Sequence, residues 1–161
     1  MELFTIFKNC ILLPRKEALF RLNRVSMRNT LTYMFVLIFI LFIPSIITSI
    51  SEANQLTESD MKSLYVIQVI ILYPFTILFM IMAFTSILAV STVLIKNLLG
   101  RKLKYQQLWK MTAFALTQPL LIYALFQVFG FSHPMVNFIL FIMIYFLIYK
   151  MILTYPKAVK K

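Results

Sequence analysis

The chain has 161 residues, of which 61% are hydrophobic and 13% charged, with a net charge of +11 and a mean hydropathy of +0.89. A soluble domain carries about twice that share of charge and only about 45–50% apolar residues, and a disordered chain is less hydrophobic still. Both are therefore excluded, and the composition is that of an integral membrane protein.

The N-terminal stretch Met1–Leu13 is apolar but contains Glu2 and no small-residue cleavage site, so it does not read as a signal peptide. Leu3, Phe7, Cys10 and Ile11 recur at helical spacing, which predicts one apolar helix face with Cys10 turned to the interface. Pro14 suits the first turn of a second short helix. In Arg15–Met27, Ala18, Leu19, Leu22 and Val25 form an apolar stripe, while Arg21, Arg24 and Arg28 share another face. That pattern predicts an amphipathic helix lying in the inner interface. There Arg15, Lys16, Arg21, Arg24 and Arg28 would meet anionic lipid headgroups, each worth about 1 kcal/mol.

A spanning helix needs about 20 mostly apolar residues. Asn29–Ser51 satisfies this. Ser63–Ile95 overshoots it: 33 residues make a helix of about 50 Å against a hydrocarbon core of about 30 Å. This segment must tilt, project or kink, and Pro74 is the expected kink, with Leu64–Tyr73 at the outer interface and Phe75–Ile95 across the membrane. The third run, Met111–Tyr149, is interrupted by Gly130-Phe131-Ser132-His133-Pro134, a turn signal. It divides into Met111–Phe129 and Met135–Tyr155. The predicted fold is all-α: an integral membrane four-helix bundle with an N-terminal amphipathic interfacial helix. Its parts are a cytoplasmic segment 1–28, a transmembrane domain 29–155 with spans near 29–51, 64–95, 111–130 and 135–155, and a basic tail 156–161.

Charge orients these spans. Glu52–Lys62, between the first two, carries −2, whereas fifteen of the sixteen basic residues fall in the N-terminal arm, the 96–110 connection and the stretch from Lys150 onward. By the positive-inside rule those three segments, and hence both termini, are cytoplasmic. The charge that would suggest nucleic acid in a soluble protein is here a topology signal, and no nucleic-acid partner is expected.

Chemistry-bearing residues are few. One cysteine and one histidine, Cys10 and His133, exclude a disulfide and a multi-His metal site. His133 reads as a turn residue, and Ser132 beside it has no orienting third group. Glu52, Glu58 and Asp60 match no calcium-loop spacing. No Asp, Glu or Arg lies within the spans, which argues against ion-coupled transport by a monomer. No catalytic residues, metal or cofactor are expected.

The remaining candidates are contact surfaces. Tyr105, Leu108 and Trp109 share a helical face, and with Arg101, Lys102 and Lys104 they form a potential docking segment for a partner. The simpler reading makes Trp109 and Lys110 an interfacial anchor. Pro44, Pro74 and Pro119 put a proline in each of the first three spans, and Thr117 and Gln118 can satisfy the carbonyls that Pro119 frees near Ala115. Gln68, Gln127 and Asn137 are the other amides at or near membrane depth, and Thr85-x-x-x-Ala89 and Ser45-x-x-x-Ser49 are small-residue spacings that permit close helix approach.

Three segments carry a family resemblance: LLPRKEALFRLNRVSMRNTLTY, then FIPSI, and RKLKYQQLWKMTAFALTQP from Arg101 to Pro119. The chain resembles an uncharacterised family of small polytopic membrane proteins of low-GC Gram-positive bacteria, some of them associated with maltodextrin utilisation, and is similar in outline to Yip-like membrane proteins. The outer loop is short here compared with many relatives. The resemblance implies a bacterial cell-membrane protein with an adaptor or assembly role and an ATP-driven sugar importer as a candidate partner. The expected function is a non-enzymatic accessory protein that assists or regulates another membrane complex. The alternative is a small oligomeric channel or transporter, with Gln68, Thr117 and Gln118 along one path.

Overall fold

The computed structural model describes residues 3–53, 59–129 and 134–157. The described residues form seven helices: α1 (Leu3–Ile11), α2 (Lys16–Asn23), α3 (Met27–Ala53), α4 (Ser59–Leu98), α5 (Tyr105–Ala115), α6 (Thr117–Val128) and α7 (Pro134–Leu153). Four candidate spans are long and apolar enough to cross a membrane: Met27–Pro44, Leu64–Leu98, Tyr105–Val128 and Pro134–Leu153. The acidic side chains of Glu52–Lys62, those of Ser45 and Ser49, and the turn containing Ser132 and His133 lie outside the described residues.

Local signals set the helix ends. Ser26 caps α3, its Oγ accepting from the Asn29 N–H at 3.3 Å, so the helix starts at Met27 rather than Asn29. Helix α4 runs unbroken through Pro74 for 40 residues, about 60 Å. It stops at Gly100, whose φ of +58° lets the Gly100 N–H reach Asn97 O and the Arg101 N–H reach Lys96 O, both at 3.1 Å. The third span begins six residues before Met111, at Tyr105, and divides at Leu116. The cause is Pro119, which has no N–H for the carbonyl of Ala115 and crowds it. Pro44, by contrast, lies on the exposed side of an uninterrupted α3.

Helix α5 is the hub. Leu108, Trp109 and Met111–Ala115 are all buried, so both faces of this short helix are covered, by α2, α3, α4 and α7. One buried cluster runs from Ile6 in α1 to Tyr155 after α7. The N-terminal arm is therefore part of the same core as the spans, not a layer apart from residue 29 onward. In α2 the expected stripe is the buried one: Ala18, Leu19 and Leu22, followed by Val25. In α1 it is not. Leu3 and Ile11 are exposed and Ile6, Asn9 and Cys10 face inward, with Leu13 completing the row. Cys10 is fully buried rather than interfacial. Pro14 lies in the connecting turn, two residues before α2 starts.

Polar groups inside the core are satisfied locally. The hydroxyls of Thr30, Thr85, Thr92 and Thr112 donate to carbonyls three or four residues earlier in the chain, at 2.7–3.0 Å. Thr85 and Ala89, the small-residue pair of α4, are both fully buried. Between helices, the Ser91 and Tyr145 hydroxyls pair at 2.9 Å and join α4 to α7.

Candidate functional site

Two polar groupings stand out, one around the break in the third span and one at the α4–α5 connection. At the break, Thr117 pairs with the Tyr33 hydroxyl at 3.1 Å. The Cys10 thiol neighbours both hydroxyls, and burial pushes its pKa up to about 11. Gln118 Nε2 donates to three carbonyls of the arm: Cys10 O and Ile11 O at 3.0 Å and Leu13 O at 2.9 Å. Ile11 O and Leu13 O lie at and just beyond the end of α1, and Cys10 O also accepts from the Leu13 N–H at 3.3 Å. About two turns earlier, Lys110 Nζ donates to Asn23 O at 2.7 Å and Val25 O at 2.9 Å, at and just beyond the end of α2. Thr117, Gln118 and Lys110 thus hold the N-terminal arm onto the spans.

These positions correct two expectations. Tyr105, Leu108 and Trp109 do not present a docking face: Tyr105 is 48% exposed, but Leu108 and Trp109 are 1% and 6% exposed. Trp109 is no interfacial anchor either, since its indole N–H donates to Ser86 Oγ at 3.2 Å inside the protein. The helix starts earlier than Met111, and Leu108 and Trp109 are turned inward while Tyr105 and Gln106 stay exposed. Gln68 is exposed on α4, Thr117 is buried against Tyr33, and Gln118 is engaged with the arm. Gln127 and Asn137 are exposed near the far ends of α6 and α7.

At the α4–α5 connection the chain is tied to the segment after α7. Arg101 Nη1 donates to Tyr155 O, the backbones of Arg101 and Lys157 pair as an antiparallel bridge, and the Lys102 N–H donates to Pro156 O at 3.5 Å. The Tyr155 ring meets Phe20 edge-on at 5.8 Å, which brings α2 into the same corner. Lys104 caps α5, its N–H donating to Gln107 Oε1 at 3.0 Å. Lys96, Gly100, Arg101, Lys102, Lys104 and Gln107 line an open groove of about 620 Å³. Among the described residues, Arg101 Nε, Tyr155 OH and Asn23 Oδ1 are buried without a hydrogen-bond partner. The other cations, Arg15, Lys16, Arg21, Arg24 and Arg28, are exposed along the arm. Lys150 is exposed too, with its Nζ 5.6 Å from the centre of the Phe146 ring. Among the described residues no three His, Cys, Asp or Glu side chains gather in a metal-binding arrangement.

A family model described as "Protein of unknown function (DUF1189)" matches residues 52–153, more than half of the chain. The chain belongs to the DUF1189 family. The match to DUF1189 takes in α4 to α7 and the Arg101–Pro119 block, whereas residues 12–33, which also carry the sequence resemblance, lie outside it. No curated protein and no solved structure matches the chain.

Sequence reasoning missed Tyr33 and the inward-facing side of α1. The carbonyl partners of Lys110 and Gln118 had no signal, because any backbone carbonyl is a chemically equivalent acceptor. Tyr33 did offer one: it is a hydroxyl within a span that requires a partner.

Proposed function

We propose that this protein is a non-enzymatic accessory subunit of the bacterial cell membrane, a four-helix bundle with both termini cytoplasmic, which docks against another integral membrane complex through the outer half of α4. The observation that carries this reading is the mismatch between α4 and its surroundings. Its apolar stretch Leu64–Leu98 has 35 residues. That is about 52 Å of helix, or about 49 Å along the membrane normal at a tilt of about 20°, against a core of about 30 Å. The inner half is packed, with Thr85, Leu88, Ala89 and Thr92 buried. Among the described side chains from Leu64 to Phe84, by contrast, Val69 alone is buried. Ile71, Phe75 and Phe79 are 57%, 71% and 76% exposed. An apolar helix that outlasts the bilayer by about 20 Å requires a cover beyond lipid, and a partner's helices supply it.

The exposed arginines of the arm face the inner leaflet in this arrangement. The sugar importer implied by the family resemblance is the first partner to examine, and the adaptor role of Yip-like proteins is an analogy of fold only. The test is purification in mild detergent from native expression levels. One membrane complex should co-purify, and Phe75→Ala with Phe79→Ala should release it while leaving the Trp109 core intact. Recovery of a lone monomer, or undiminished co-purification of the double variant, refutes the reading.

A further inference from the structure

We infer that the groove at the α4–α5 connection is a binding site for the phosphate of an anionic phospholipid headgroup. The inference rests on the cytoplasmic placement proposed above. Residues 96–110 carry five cations and no carboxylate, and four of those cations, Lys96, Arg101, Lys102 and Lys104, converge on one groove. Like charges brought together in this way repel unless an anion lies between them.

The frame around the groove is fixed. Gly100 terminates α4, the tail is bonded across Arg101 and Lys102, and Gln107 holds the first turn of α5. The backbone positions that carry the cations are thus set before any ligand arrives, which lowers the entropic cost of binding. Arg101 supplies an independent sign. One of its nitrogens holds Tyr155 O, while its Nε is buried with no acceptor among the described residues. An unpaired buried guanidinium N–H is unfavourable, and a turn of the Arg101 side chain toward the groove would offer it to a phosphate oxygen there. The start of α5, an 11-residue helix capped by Lys104, adds its positive end to the same place.

A lipid, rather than an acidic protein, fits the surroundings. The side chains that a protein partner would grip, Leu108 and Trp109, are enclosed. The exposed apolar neighbours are Leu98 and Tyr105, at 87% and 48% exposure, and they flank the groove in the chain as acyl-facing groups flank a headgroup. The cations of α2 lack the orphaned donor and the closed frame, and they act as a diffuse belt.

The test uses the full chain in detergent, by native mass spectrometry, with phosphatidylglycerol and phosphatidylcholine at equal concentrations. Phosphatidylglycerol should be retained preferentially. Lys96→Gln with Lys102→Gln leaves Arg101 in place to hold the tail and should weaken retention about tenfold, whereas Arg21→Gln with Arg24→Gln should change it less than twofold. Unchanged Trp109 emission checks that the fold survives. Equal retention of the two lipids, equal loss in both double variants, or full displacement of phosphatidylglycerol by inorganic phosphate or a glutamate-rich peptide overturns the inference. Orientation is read separately, by membrane-impermeant maleimide on intact cells carrying Lys157→Cys. Labelling from outside would refute the cytoplasmic placement without affecting the lipid measurement in detergent.

Discussion

Removing the amide of Gln118 should release the N-terminal arm. Its NH2 group has two hydrogens and faces three carbonyls at 2.9–3.0 Å, so at least one hydrogen is shared. A net hydrogen bond contributes about 0.5–1.5 kcal/mol, so Gln118→Leu, which keeps the volume but donates nothing, should destabilise docking of α1 by about 2 kcal/mol. That raises the undocked population by a factor of about 30. The readout is built into the chain. Cys10 is the sole cysteine and is fully buried in the docked arm. Maleimide labelling of Cys10 at pH 8 should therefore accelerate about 30-fold in Gln118→Leu. Gln118→Glu should act in the same direction, since an ionised carboxylate cannot donate to a carbonyl. A labelling rate within twofold of wild type, with the thiol fully reactive after denaturation, would show that Gln118 does not hold the arm.

Further outcomes follow from the other joints. Lys110→Met removes both donors to the end of α2, and a loss of about 1–2 kcal/mol should appear in thermal unfolding, with Lys110→Arg falling between the two. Gly100→Ala meets no atom within 4 Å, so its cost is the positive φ alone, about 1 kcal/mol, and unfolding in detergent should reveal it. The Cys10 thiol, raised from 9.0 to about 11, is neutral in the folded protein at physiological pH. The folded state holds this proton more tightly than the unfolded state. Its contribution to stability is thus complete below pH 9 and lost as pH rises from about 9 to about 11, a decline that Cys10→Ala should abolish in a pH series of melting temperatures.

Much of the architecture is written locally. Apolar length predicts four spans, because burial of a helix in lipid depends on residues adjacent along the chain. The division at Leu116 follows from Pro119, and the start of α3 follows from Ser26, both signals acting within one turn. The stripe on α2 was legible too, since its polar and apolar faces differ sharply.

What the sequence by itself determined, then, is helix content, span number and the clustering of charge. The tertiary structure decided which faces turn inward. Helix α5 is apolar over more than one face and α1 has one broad apolar face, and periodicity cannot choose between apolar faces or which edge of a broad one packs inward. Hence Ile6 and Asn9 joined Cys10 facing inward while Leu3 and Ile11 stayed exposed, and Leu108 and Trp109 entered the core instead of forming a docking surface. Lys110 and Gln118 found backbone carbonyls 87 and 108 residues away. Such acceptors are carried by every residue alike, so only packing selects among them.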